Sequence, residues 1–253
     1  MWRTDSVGVL IPALNEEEAI LRTLRSLPAW VDRVVVVDNG STDATASLAS
    51  SAGATVVAEP QRGYGRACLT GMRALRGVEI VVFLDADCSD DPAEMDLLVR
   101  PIAEGDADFV LGSRTRGVCE RGSLSLQQRI GNRIACTLLR WRFGARYSDL
   151  GPFRAIRREA LDALCMDDQG FGWTVQMQAR AQARGLRVRE VATRYRVRVG
   201  RSKISGTLSG CIRAGIGILA TVLREPRDQP RWPSGERGLR PMLERHGTGG
   251  PAG

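Results

Sequence analysis

In 253 residues there is one histidine, His246, and one lysine, Lys203. The histidine stands in a Gly/Pro-rich stretch near the C-terminus, which argues against a Ser-His-Asp triad, a Cys-His pair or a histidine-based metal site. Acid–base chemistry then falls to carboxylates, and metal binding to oxygen ligands. Aromatic residues make up only 5% of the chain. No motif interleaves them with basic residues, so nucleic acid is not an expected partner. The six cysteines show no C-x-x-C spacing and read as free thiols of a reducing compartment. No uninterrupted apolar run reaches the roughly 18 residues that span a bilayer. No signal peptide is expected, since Met1-Trp2-Arg3-Thr4-Asp5 leads straight into a short strand. The expectation is a cytoplasmic protein, with peripheral contact at the inner face of a membrane left open.

The net charge is +7 and the pI about 9.6, almost entirely from arginine. That balance favours anionic partners such as nucleotide phosphates or an anionic membrane surface. With 43% hydrophobic residues the chain can bury a core, and its length suits one substantial α/β domain or two small ones.

Short apolar runs alternate with amphipathic stretches. Strands are expected at Val7 to Ile11 (ended by Pro12), Val34 to Val37, Ala54 to Ala58, Ile80 to Leu84 and Phe109 to Gly112. The helices between them predict a mostly parallel sheet with crossovers. Asn15 and Glu18 read as a capping box. Asp38 is either a turn residue or a ribose ligand at a strand's carboxyl end. Gly63-Tyr64-Gly65-Arg66 is a glycine-rich strand-to-helix turn without the full phosphate-binding spacing. Asp91, Pro92 and Glu94 read as a helix start, which also gives Asp90 a structural place. Asp85 and Asp87 have no such local role. They end a buried strand at spacing i, i+2, where two carboxylates can share a divalent cation that holds a diphosphate; the plainer alternative is a turn.

Downstream, helices are expected at Leu126 to Trp141, Arg158 to Leu164, Phe171 to Arg184 and Ile204 to Leu223, the last packing on the domain or lying on a membrane interface. Val188 to Val199 reads as an extended segment whose Arg194, Arg196 and Arg198 share a face, the plain alternative being a solvated edge strand. From Glu225 onward, Pro, Gly, Arg and Ser predict a largely disordered tail without chemistry.

The ordered set Ile11-Pro12-Ala13-Leu14-Asn15-Glu16, Val37 to Asp43, Phe83-Leu84-Asp85-Ala86-Asp87, Gly112-Ser113-Arg114, Ser148 to Arg154, Phe171-Gly172-Trp173-Thr174 and Gly200-Arg201-Ser202-Lys203 resembles family 2 glycosyltransferases. Within that family it is most similar to bacterial relatives of dolichol-phosphate mannosyltransferase. The resemblance implies a GT-A fold: one Rossmann-like, mostly parallel sheet flanked by helices, with a C-terminal helix and the tail. Residues 1–224 would form the domain (1–114 the nucleotide-sugar half, 115–224 the acceptor half), and 225–253 the tail. It also implies a metal-dependent, inverting transfer from a nucleoside diphosphate sugar to polyprenyl phosphate or another lipid-linked acceptor, or else to a soluble small molecule. Pro12, Ala13, Asn15, Glu16, Asp38, Asp85, Ala86 and Arg114 would meet the donor. Asp85 and Asp87 would hold Mg²⁺ or Mn²⁺, and Arg198, Arg201 and Lys203 would neutralise phosphate.

The chain departs from the resemblance at two positions. Relatives carry glutamate after Phe-Gly-Trp-Thr-Val, where this chain has Gln176. Either Asp149 is the base, or an anionic acceptor needs none, or the activity is altered. Ser89 replaces a glutamine near the metal and can still ligate it or hold a metal-bound water.

Overall fold

The structure is a computed structural model that describes residues 5–200 and 208–233. Its sheet has seven strands: β1 (Val7–Ala13), β2 (Arg33–Asp38), β3 (Thr55–Ala58), β4 (Ile80–Phe83), β5 (Phe109–Ser113), β6 (Arg154–Arg157) and β7 (Val188–Ala192). They lie in the order β3-β2-β1-β4-β6-β5-β7, and only β6 runs antiparallel to its neighbours. The chain winds outward from β1 in both directions, so a crevice opens where β1 and β4 part, the usual ligand position in such sheets.

Alternation along the strands builds two cores. Val7, Val9, Ile11, Val36, Ile80, Val82 and Val110 face one side. There they meet α1 (Ile20–Arg25), α2 (Thr45–Ser51) and α4 (Met95–Ala103). Leu10, Val35, Val37, Val81, Phe83, Phe109 and Leu111 face the other, against α3 (Tyr64–Ala74), α6 (Arg158–Ala163) and α7 (Trp173–Ala183). This period-two division is what a sheet covered on both faces requires. On top of α7 lie α5 (Leu126–Phe143) and α8 (Leu208–Arg224), joined by Leu139, Val175, Ala179, Ile218 and Val222.

Several local expectations are corrected. Pro12 does not end β1; it pairs with Val37 inside the strand. Leu10 O accepts from Leu84 N on the β4 side, and Pro12, two residues on, faces the same way. Pairing with β4 has already stopped at Leu10, so the missing N–H costs no ladder bond. Asn15 does not cap α1, which starts at Ile20 behind Ala19 without a side-chain cap. Asp91 caps a short 3₁₀ turn through Ala93 N. Glu94 closes no capping box there and instead accepts from Arg194 N. Asp90 takes no part in that turn. Its carboxyl is buried, neither oxygen has a hydrogen-bond partner among the described residues, and burial followed by the charge of Asp85 pushes it well above the usual range.

The extended segment breaks at Ala192, and beyond it Arg194, Arg196 and Arg198 are paired with carboxylates. Its first part, β7, is nonetheless the edge strand of the sheet, as the plain alternative had it, and the Arg194 side chain stays 62% exposed. The stretch after α8 also carries contacts that the sequence did not signal: Glu225 is buried, and Trp232 N donates to Arg184 O.

Candidate active site

The crevice beyond β1 is shaped by loop-to-loop bonds. Asn15 adopts φ +52°, a left-handed conformation that asparagine tolerates better than most residues. Asn15 N donates to Ser41 Oγ at 2.9 Å, and its Oδ1 accepts from Thr42 N at 2.8 Å. Glu16 N donates to Thr45 Oγ1, and Glu17 accepts from Ala44 N. The loops after β1 and β2 are thus locked together around a cleft of about 450 Å³ lined by Pro12, Ala13, Asn15, Glu16, Asp85, Ala86, Asp87 and Arg198. Asp38 does not line it; its Oδ1 accepts from Ser41 N, and Asn39 lines the cleft instead. The glycines before α3 serve close approach. A Cβ on Gly65 would stand 2.0 Å from Asp168 O, and one on Gly63 2.3 Å from Gln169 O.

Asp85 and Asp87 also line a second cleft, of about 300 Å³, with Tyr64, Arg114, Tyr195 and Arg198. The two carboxylates stand where the clefts meet. Asp87 Oδ1 accepts from Ser89 N at 3.0 Å and from Ser89 Oγ at 2.6 Å, so Ser89 orients Asp87. Asp85 Oδ1 accepts from Tyr64 OH at 3.3 Å. Burial, and next the charge of Asp87, push the Asp85 carboxyl up to about 7. A cation must displace that proton, so its affinity should fall about tenfold per pH unit below about 7. Mn²⁺ titration calorimetry at about pH 6 and about pH 8 checks this; equal affinity at the two would remove Asp85 from the ligand set.

Arg198 lines both clefts. Its Nη2 donates to Glu16 Oε1 at 2.9 Å, and Nη1 lies 3.3 Å from Asp87 Oδ2. Its segment is zipped to the loop after β4, with Arg196 N donating to Ser89 O and Val199 N to Asp87 O. Arg201 and Lys203 lie outside the described residues.

Arg114, expected to meet the donor, does not line the cleft of Pro12 and Glu16 but the second cleft, and its guanidinium is stacked 5.0 Å from the Tyr195 ring centre. Asp149 is buried. Its Oδ2 accepts from Arg114 N and Nε, both at 2.8 Å, and its Oδ1 from Arg114 Nη2 at 2.7 Å and Leu150 N at 2.8 Å. Burial alone would lower Arg114; the Asp149 bonds outweigh it and hold the guanidinium above its usual range. Arg154, fully buried, donates to Gly151 O and Thr174 O and so fixes the turn that carries Asp149. A third cleft, of about 540 Å³, runs from Arg114 and Asp149 along α5 past Arg129, Arg133 and Arg140.

Gln176 lines none of these clefts. It is buried, its Nε2 donating to Glu225 Oε1 and Asp167 Oδ1, both at 2.7 Å. Its Oε1 accepts from Asp167 N and Asp168 N. It braces the loop that carries Phe171, and Phe171 lines two of the clefts.

Residues 8–165 match glycosyl transferase family 2. The chain belongs to that family. It is 40% identical over 215 residues to an uncharacterised glycosyltransferase of Mycobacterium tuberculosis, covering 83% of this chain and 94% of that one. It is 31% identical over 230 residues to the polyprenol monophosphomannose synthase of Mycolicibacterium smegmatis, covering 81% and 83%. Among solved structures it resembles glucosyl-3-phosphoglycerate synthase of M. tuberculosis in complex with Mn²⁺, UDP and glucosyl-3-phosphoglycerate. The TM-score is 0.70 at 26% identity, over 87% of this chain and 79% of that one. The GT-A architecture expected from the motifs is the one found.

The glycosyltransferase offers an incoming cation a limited set of donors. Among the described residues no three metal-binding side chains converge. Asp85 and Asp87 supply hard oxygen atoms at the cleft junction, which suits Mg²⁺ or Mn²⁺ completed by substrate phosphate and water. Three residues that line or support the clefts were given no role by the sequence: Tyr64, hidden between two glycines that drew attention to themselves, and Arg154 and Phe171, each inside a recognised motif.

Proposed function

We propose that this transferase moves a hexose from a nucleoside diphosphate sugar to an acceptor phosphate, with polyprenyl phosphate as the acceptor. The observation that carries the reading is the state of Asp149. Its carboxylate is saturated by Arg114 and Leu150 N–H, so it is poorly placed to take a proton from a hydroxyl. A phosphate monoester needs no such base, being anionic near neutral pH. Its oxygen attacks the anomeric carbon as the bond to the donor diphosphate breaks, and the electron pair leaves with the nucleoside diphosphate, giving inversion. Pro12, Ala13, Asn15 and Glu16 hold the nucleoside. A cation at Asp85 and Asp87 would stabilise charge growing on the leaving diphosphate. Arg198 neutralises the donor side, and Arg114, held in place by Asp149, faces the incoming phosphate.

The arginine-lined cleft beside Asp149 favours a second reading, a small soluble acceptor bearing phosphate or carboxylate. One experiment separates them: UDP-, GDP- and dTDP-sugars with Mg²⁺ or Mn²⁺, scored for hydrolysis and for transfer to polyprenyl phosphate or to 3-phosphoglycerate. Transfer to polyprenyl phosphate alone is the expected result. Transfer to phosphoglycerate alone supports the soluble acceptor, and donor turnover without any metal dependence overturns the assignment of Asp85 and Asp87.

A further inference from the structure

Where α5 and α8 pack side by side over α7, each keeps a second apolar face turned away from the protein. On α5, Leu126, Ile130, Ile134 and Trp141 are 70%, 51%, 47% and 68% exposed. Their spacing of four, four and seven places them on one stripe. Arg129, Arg133 and Arg140 make a parallel row one step round the helix, along the cleft beside Asp149. On α8, Ile216 and Leu223 are 61% and 56% exposed, seven residues apart, while Ile218 and Val222 make the contact with α5 and α7. Arg227 lies with its guanidinium 5.6 Å from the Trp141 ring centre. A single exposed leucine means nothing; an apolar patch drawn from two neighbouring helices and rimmed by arginine does.

We infer that these outward faces form one docking surface that seats the transferase on an anionic bilayer. The apolar stripe enters the interface while the arginine row meets lipid headgroups, the division found in interfacial amphipathic helices. The chain's charge of +7 favours an anionic lipid surface over a second copy of the chain, because pairing two such faces would set arginine against arginine. The cleft holding Asp85 and Asp87 is also lined by Gln127 and Gly131 of α5 and by Gly215 and Ile218 of α8. It therefore opens at the seam of the docking surface, and a lipid-borne phosphate would enter there without leaving the membrane. That route rests on the lipid-acceptor reading; the docking itself does not.

The test is flotation of the full chain with phosphatidylcholine vesicles, with and without about a third phosphatidylglycerol. Binding to the anionic vesicles is expected, falling as salt rises from about 0.05 to about 0.5 M. The triple variant Ile130→Ser, Ile134→Ser, Trp141→Ser lies outside the clefts. It should lose at least about tenfold in binding while hydrolysing donor in solution like the parent. Absence of binding by the parent, or equal binding by the variant, overturns the proposal. So does a dimer in light scattering that the triple variant abolishes, since the face then belongs to a second copy. Transfer to a short-chain, water-soluble polyprenyl phosphate without vesicles tests the acceptor reading separately, so the two can fail independently.

Discussion

Asp87→Asn lowers donor turnover about a thousandfold, about 4 kcal/mol of transition-state stabilisation, and leaves the fold intact. The substitution is nearly isosteric. The remaining carbonyl oxygen still accepts from Ser89 N and Ser89 Oγ, so the loop after β4 keeps its shape. What disappears is a negative charge at the meeting point of two clefts. That charge stands 3.3 Å from Arg198 and is, after burial, the main reason that the Asp85 carboxyl is pushed up. The variant therefore carries a signature that simple local damage would not. Asp85 moves back toward the ordinary carboxylate range, and the pH below which Mn²⁺ binding weakens moves down with it, even as affinity drops. Steady-state turnover with Mn²⁺, thermal melting and Mn²⁺ calorimetry across pH are the measurements. Turnover equal to the parent's would end the assignment of a metal–diphosphate site to this pair.

The half of the chain that carries Asp85 and Asp87 was legible in the sequence because its signals are local. Buried parallel strands are short β-branched runs, and each stops where the chain turns polar, so β2 and β4 announce both themselves and their carboxyl ends. The absence of a usable histidine pushed the chemistry onto carboxylates, and Asp85 and Asp87 lacked the capping role that Asp91 fills. Pro12 misled because its effect in a strand depends on which neighbour its missing N–H faces, and that is a property of the sheet. The arginines were legible as a charged row only. Their partners are remote: Arg198 meets Glu16 across 182 residues and Arg196 meets Asp91 across 105. No local pattern carries such pairings. Asp149 shows the same limit. The motif around it marks the position, but whether its carboxylate is free or saturated depends on Arg114, 35 residues away.

Gln176→Glu, which the resemblance to relatives would offer as restoring a base, is expected to destabilise the protein by about 2–4 kcal/mol, lowering the melting temperature by roughly 5–15 °C for a chain of this size. No gain toward hydroxyl acceptors should follow, because position 176 lines none of the clefts. The glutamine donates to two carboxylates, Glu225 and Asp167. Glutamate would keep the two bonds accepted from Asp167 N and Asp168 N. It would lose both donations and place a third negative charge against them. The two repulsions are unequal. The Asp167 side chain is 72% exposed, so its contribution is screened. The Glu225 side chain is 5% exposed and already tied to Arg180 at 2.6 Å, so the buried contact decides the outcome. The compensating change follows from that assignment: Gln176→Glu combined with Glu225→Gln returns an amide donor to the pair and should recover at least half of the lost stability. Thermal melts of the parent, both single variants and the double variant give the coupling energy directly. An additive cycle would show that the tie to Glu225 is incidental, and a stable and more active Gln176→Glu would show that position 176 faces substrate after all. The expected non-additivity would make Glu225, just beyond α8, part of the support for Phe171 in the clefts.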